Sequence, residues 1–375
     1  MTFIETKSYA ATSSVLCRDK HLSIVLSAPL HKHQEGAGSG RGKHVLGWGR
    51  KRSGMEAVAV WKKNKTPFIL AEDGFLRSVG RVEPSLSFSL DSKGIYYDAM
   101  CSSDIEGLIA RELSVNEKER SVRIIESWRA SRVSKYNAAR EFAEPLPESY
   151  VVVVDQVAGD LSIQYGLADR ASFDRALNAA LEENPESTVV VKVHPDLLSR
   201  KKAGHFDIAA ARKIDRVLVV AENCHPVRLI EHAAAVYVVT SQVGFEALIW
   251  GKKVRCFGMP FYAGWGLTDD ELPAPDRRGK TSLEQLVHAA LVEYPRYVYP
   301  ETGERCEVER VVEHVGLQRV SRARFPKVVH ALGFSRWKRP ILAGFLAGSD
   351  VRFVKRIEEV PRGATLAVWG VRAVP

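Results

Sequence analysis

Apolar residues along this chain gather into short unbroken runs that alternate with segments of helical period. His21 to Ala28 (HLSIVLSA) reads as a first strand, followed by a polar, glycine-rich loop, HKHQEGAGSGRGK. His44 to Lys51 (HVLGWGRK) reads as a second strand that breaks into a Gly-Trp-Gly turn. From Ser53 to Asn64, Met55, Ala59 and Val60 recur among basic residues and predict an amphipathic helix. Pro67 to Leu70 is the next strand and delivers Glu72-Asp73-Gly74 at its carboxyl end. Strand, helix and strand with short joints predict parallel pairing in a layered α/β sheet. Leu86 to Ala99 (LSFSLDSKGIYYDA) alternates about Asp91-Ser92-Lys93-Gly94 and predicts a hairpin. Ser102 or Ser103 with Glu106 then makes a capping box, and a charged helical region continues to about Glu144.

Pro145 to Glu148 (PLPE) is the clearest punctuation, and the hinge between two domains is expected there. Beyond it, YVVVVDQ (150–156), TVVVKVHPD (188–196), RVLVVAE (216–222), VYVVTSQ (236–242) and KVRCFG (253–258) read as strands. They are near-continuously apolar, as parallel strands buried on both faces are. Helices fall between them at 172–183, 226–234 and 244–251. The expected division is therefore a first Rossmann-like domain over 1–145, a second over 146–315, and a basic linker and tail over 316–375. Two Rossmann-like halves facing across a cleft form the α/β arrangement called GT-B among glycosyltransferases. There is also an internal echo. VVHALGFSRWKRPILAGFL followed by TLAVWG (365–370) restates HLSIVLSAPL followed by HVLGWGRK, so the tail reads as the start of a second copy of the module, cut short.

Composition narrows the class. The chain has 375 residues, 45% hydrophobic and 26% charged, with a mean hydropathy of −0.14, which is the profile of a globular protein of two ordinary domains. Its apolar runs fall short of a membrane span. The amino terminus lacks a basic region followed by an apolar stretch, so a secretory signal is not expected. The five cysteines stand singly, and free thiols in the cytoplasm are expected. Net charge is +9, and from His314 to Ser349 Arg319, Arg322, Arg324, Lys327, Arg336, Lys338 and Arg339 occur without one Asp or Glu. Such a segment suits an anionic membrane surface or an acidic polymer, and equally a solvated linker face. Nucleic acid is not expected, because no basic-aromatic binding motif accompanies the charge.

The candidate chemistry sits at strand ends, where open α/β sheets keep their ligands. Glu72 and Asp73 are two carboxylates able to divide acid and base roles between them. The same residues also suit a plain turn in which Asp73 caps the backbone and Gly74 supplies positive φ. Asp155 and Asp160 flank a βα loop, DQVAGDLS, where either is a candidate nucleophile and Asp160 equally suits a helix cap. Lys192, His194 and Pro195 form a strand-end group able to meet a phosphate or ribose. A second such pair, His225-Pro226, is better explained by proline in the first turn of a helix. Thr240, Ser241 and Gln242 precede a helix, whose amino end favours anions. No P-loop, dinucleotide fingerprint or metal-ligand spacing is present, so no cofactor and no metal are expected.

Longer strings carry a specific resemblance. AEDGFLRSVG, GIYYDAMCSSDIE, DQVAGDLSIQYG, VKVHPDLLSRKKAGHF and VVTSQVGFEALIWGKKVRCFGMPFYAGWGLTDD resemble the capsule polysaccharide β-Kdo transferases of the KpsC/LipA family over about residues 20 to 310. Members of that family carry two such modules in tandem, and GFSRWKRP resembles the opening of the second. The resemblance implies retaining transfer of Kdo from CMP-β-Kdo to a lipid-linked Kdo acceptor, by double displacement. It makes Asp160 the nucleophile, Glu72 with Asp73 the acid/base, and Lys192, His194, Pro195, Thr240, Ser241 and Gln242 the CMP-Kdo site. Arg77 and Lys201 are assigned by charge to a sugar carboxylate or the acceptor. Tyr262 to Leu267 is expected to form a glycine-hinged loop by the cleft. The setting implied is the cytoplasmic face of the inner membrane, beside the capsule export machinery. A non-catalytic polysaccharide-binding or export subunit on the same fold is the alternative.

Overall fold

The computed structural model describes residues 8–34, 43–80, 83–193 and 203–370. The amino-terminal third supplies β1 (Ser8–Ala11), β2 (Leu30–Lys32), β3 (Lys43–Trp48), β4 (Phe68–Asp73) and β5 (Ser87–Asp91). β1 pairs with β2 and β3, and β3 with β4, all in parallel, while β4 and β5 are antiparallel. β4 buries Phe68 to Ala71 and ends in Glu72 and Asp73, both half-buried. The helix Arg52–Asn64 crosses from β3 to β4 as its periodicity predicts.

The second sheet is entirely parallel. It comprises β6 (Tyr150–Val154), β7 (Thr188–Lys192), β8 (Val217–Val220), β9 (Ala235–Val238), β10 (Lys253–Cys256) and β11 (Asp269–Asp270). Their order is β11-β10-β9-β6-β7-β8, the doubly wound order of a dinucleotide-type sheet. The winding reverses between β6 and β9, so a crevice opens outside the carboxyl ends of those two strands. The chain then returns. β12 (Pro295–Tyr299) pairs antiparallel with β5, and β13 (Glu304–Cys306) with β12, giving a first sheet of seven strands. Residues 295–306 thus belong to the first sheet, although 146–315 had been expected to form one second domain.

Three further expectations are corrected. His21 to Ala28 is not a strand but the helix Lys20–Leu26. Asp19 caps it through Leu22 N (3.0 Å), and the buried residues Leu22, Val25 and Leu26 are spaced at helical intervals. The hairpin about Asp91 is absent. β5 finds its neighbours in β4 and in the distant β12, while the Asp91 carboxylate turns the chain by accepting from Lys93 N and Gly94 N. The boundary at 315 falls inside the helix Val308–Ala323, whose Val308, Val311, Val312 and Val315 pack into the core; this segment is a helix rather than a linker.

β14 (Val328–Leu332), β15 (Asp350–Val354) and β16 (Leu366–Val368) form a small parallel sheet ordered β15-β14-β16. That is the order β2-β1-β3 again, with a helical crossover (Arg339–Phe345 here, Lys20–Leu26 there) between the first two strands. The echo is therefore present in the topology, but its register differs from the expected one. VVHAL matches Ser8–Ala11, and the counterpart of HLSIVL is a helix. Trp337, Ile341, Phe345 and Trp369 of this unit are exposed. No described helix is long and apolar enough to cross a membrane.

Candidate active site

A cleft of about 1100 Å³ opens where the carboxyl end of β4 faces those of β6, β7 and β9. Glu72 and Asp73 form one wall, with Lys51, Tyr96, Tyr97 and the segment Ser134 to Tyr136; Asp155 to Ser162 and Thr240 to Val243 form the other.

On the first wall the paired carboxyls have different partners. Asp73 accepts from Arg77 Nε at 2.9 Å, an ion pair largely shielded from solvent. The Glu72 carboxyl is pushed up to about 7, chiefly because burial penalises its charge and next because Asp73 is adjacent; Lys135 and Lys51 oppose the rise. Arg77 also donates to Ser78 Oγ and the Glu83 carbonyl, and its guanidinium lies 5.8 Å from the Tyr136 ring centroid. Its charge is committed to the wall.

The Gly-Trp-Gly turn places Glu72. At Gly49, φ is +39°, and a Cβ there would stand 2.3 Å from the Tyr97 hydroxyl and 2.6 Å from Glu72 Oε2. Gly74 is needed for a different reason from the one expected: it is absent from the positive-φ residues, yet a Cβ on it would lie 2.2 Å from Ser87 Oγ. The glycine lets the turn press against β5. Behind it, Phe75 is fully buried in an aromatic cluster drawn from both sheets' surroundings, with ring centroids 4.4 Å from Phe261 and 5.8 Å from Phe245.

On the second wall the two candidate aspartates separate. Asp155 is 1% exposed, accepts from Gln156 N and His205 N, and is pushed up to about 6 by burial. Asp160 is exposed to the cleft and caps the helix Leu161–Tyr165 through Ser162 N at 3.0 Å, with its other oxygen free of that cap. Glu72, Tyr96, Tyr97 and Asp160 line the same cleft, and the charges of both acids bear on the two phenols. Burial is the leading cause raising both phenols, which stay protonated.

Thr240 Oγ1 lies 3.1 Å from Gln156 Nε2 and 3.2 Å from Ser162 Oγ, so it ties the ends of β6 and β9 together. Ser241 caps the helix Gln242–Ile249 through Val243 N. Gln242 spends its amide donors across the cleft base, on the Phe75 carbonyl at 2.6 Å and on Glu246 Oε1 at 3.2 Å. Its carbonyl oxygen is what remains for a ligand. Lys192 is buried and donates to the carbonyls of Val193 and Glu222, with a third contact to the Cys224 thiol. It holds loops rather than offering a free charge. His194, Pro195 and Lys201 lie outside the described residues. His225 is a buried neutral imidazole bonded to Asn137, and Pro226 begins the helix Val227–Glu231, as read from the sequence.

Sequence reasoning missed Ser134 to Tyr136 and Glu246. Glu246 is 1% exposed, lines the cleft, and is pushed up to about 7 by burial. It accepts from Lys135 N at 3.1 Å. No periodicity or turn signal marks either; the buried Asn137 that folds the segment is visible only as one polar residue after a long helix. Tyr262 to Leu267 is not an open hinge: Tyr262 and Trp265 are buried, and Trp265 Nε1 donates to the Phe261 carbonyl. Among the described residues Glu117, His288 and Glu293 have metal-ligand spacing, but they stand outside the cleft lining and Arg111 already bridges both carboxylates.

The chain matches the family of capsule polysaccharide biosynthesis proteins over residues 43–143 and 120–297. It is 34% identical to the capsule polysaccharide modification protein LipA of Neisseria meningitidis serogroup A, covering 93% of this chain and 52% of that protein. It is 38% identical to the lipopolysaccharide-processing protein LpsZ of Rhizobium meliloti, covering 68% and 60%. The chain thus spans about half the length of the LipA relatives it matches. Among solved structures it is similar to the Thermosulfurimonas dismutans KpsC β-Kdo 2,4 transferase, with TM-score 0.77, 35% identity, 84% of this chain and 99% of that one. The β-Kdo 2,7 transferase of the same organism's KpsC aligns at TM-score 0.64 and 30% identity over the same shares.

Proposed function

The chain belongs to the KpsC/LipA family of capsule polysaccharide biosynthesis proteins, and from that premise we propose that it is a retaining glycosyltransferase of GT-B type, moving Kdo from CMP-β-Kdo onto a lipid-linked Kdo acceptor. The observation that carries the reading is that Asp160 and Glu72 line one cleft, at the point where the second sheet reverses its winding.

Asp160 attacks the anomeric carbon as the bond to the CMP phosphate breaks, which leaves Kdo esterified to its carboxylate. CMP departs over the amino end of the helix Gln242–Ile249, where Thr240 and Ser241 stand. An acceptor hydroxyl then enters on the face that CMP has vacated, opposite Asp160, and attacks the same carbon; the ester to Asp160 breaks, and the hydroxyl proton passes to Glu72. A carboxyl held near 7 suits that exchange, because a base works best when its pKa lies near the working pH. Two inversions give net retention. No cofactor is assigned. The greater likeness to the 2,4 than to the 2,7 transferase favours a 2,4 linkage. The basic tail is proposed to lie near the lipid acceptor at the inner membrane.

Incubation with CMP-Kdo and a Kdo-terminated acceptor tests the reading. Release of CMP together with an extended acceptor, both lost in Asp160→Ala, is expected. Saturable binding of CMP-Kdo without turnover would replace this reading with a polysaccharide-binding export subunit, and a fully active Asp160→Ala enzyme would refute the mechanism.

A further inference from the structure

Among the described residues five carboxyl groups line the cleft, Glu72, Asp73, Asp155, Asp160 and Glu246. Kdo is itself an acid, so donor and acceptor sugars each carry a carboxylate into a site that already repels one. An anionic group in such a cleft needs a cation whose donors are not already spent. Among the described residues the lining offers three ammonium groups, Lys51, Lys135 and Lys192. Lys192 is consumed by two backbone carbonyls and a thiol, and Arg77 is consumed by Asp73 and its own turn.

We propose that Lys135 receives the carboxylate of the acceptor sugar acid; the assignment rests on the transferase reading above. Its backbone is held in place while its charge is left over. The Lys135 amide donates to Glu246 at 3.1 Å, Ser134 N donates to Asn137 Oδ1 at 2.9 Å, and Asn137 N donates to the Val79 carbonyl at 2.7 Å. The ammonium lies 5.9 Å from the Tyr136 ring centroid and is in none of the ion pairs among the described residues, though its charge acts on both Glu72 and Glu246. It is also the leading cation acting on Glu72, ahead of Lys51, which stands exposed at the start of the helix Arg52–Asn64. That position decides between the two sugars. After the first displacement the donor sugar is on Asp160, so a cation beside the base that takes the acceptor's proton belongs to the acceptor. Holding the carboxylate there orients the attacking hydroxyl toward Glu72.

The test compares a Kdo-terminated acceptor with the same acceptor converted to its C1 carboxamide, in the wild-type chain and in Lys135→Met and Lys135→Arg. The wild type is expected to favour the carboxylate acceptor by about ten- to a hundred-fold in kcat/KM, the size of one charge-assisted hydrogen bond. Lys135→Met should lose most of that preference, mainly through KM for the carboxylate acceptor, and Lys135→Arg should regain part of it. Since the segment is anchored through backbone groups and Asn137, all three proteins should melt alike. A Lys135→Met protein that keeps the wild-type preference overturns this assignment alone. A wild-type chain that extends neither acceptor overturns the transferase reading, and the assignment with it.

Discussion

At the Glu-Asp-Gly turn two neighbouring carboxyls receive opposite treatment, one ion-paired with Arg77 and the other buried beside its charge. Both residues were legible in the sequence because a strand end fixes them locally. Their difference was not, since it depends on Arg77, Lys135 and the burial of β4. Lys135 itself could not be found, because its place in the cleft is set by a bond to Glu246, far away in the chain. The pH consequence has a definite sign. Glu72 acts as a base when deprotonated, so transfer should rise as pH passes about 7. Asp73→Asn removes the adjacent charge that raises Glu72, and the midpoint should move to lower pH. Glu72→Gln should abolish the limb along with most of kcat. A limb that stays in place in both variants would assign the titration to another group, Glu246 being the first candidate.

Elements with short local rules were read well, and elements whose neighbours come from far away were not. The strand-end glycine turn, the capping box at Ser103 and the Rossmann strands all follow from adjacent residues. The helix Lys20–Leu26 was read as a strand because its β-branched Ile24-Val25 pair stands out more than its cap. The hairpin failed because β12 takes the place beside β5. Two substitutions test how the turns hold the site. Gly49→Ala forces a methyl onto Glu72 and Tyr97 in a left-handed backbone; a stability loss of about 1–3 kcal/mol in denaturant melts is expected, with kcat falling further than stability explains. Unchanged kcat would show that Glu72 is not positioned by this turn. Phe75→Ala opens a cavity where the two halves meet, and a loss of about 3–5 kcal/mol by the same measurement is expected.

For the molecule as a whole, the sequence conveyed two α/β sheets and a cleft between strand ends, but not the antiparallel half of the first sheet or the return of residues 295–306 to it. That return is set by β5, hundreds of residues earlier, and by nothing in the local pattern. In the folded chain Arg319 pairs with Glu141 and Arg322 with Glu83, whereas Arg324, Lys327, Arg336, Lys338 and Arg339 are in none of the ion pairs among the described residues, Lys338 and Arg339 lying over the Trp369 and Phe353 rings. Vesicles with anionic lipid should therefore bind the chain at low salt and release it as salt rises; equal binding to neutral vesicles would exclude that role. The central claim, covalent transfer through Asp160, is tested most directly by intact-mass spectrometry with peptide mapping after mixing the chain with CMP-Kdo and no acceptor. One sugar-acid residue is expected on the peptide holding Asp160, accumulating further in Glu72→Gln and absent in Asp160→Ala. An adduct on Asp155, or turnover that continues in Asp160→Ala, would contradict it.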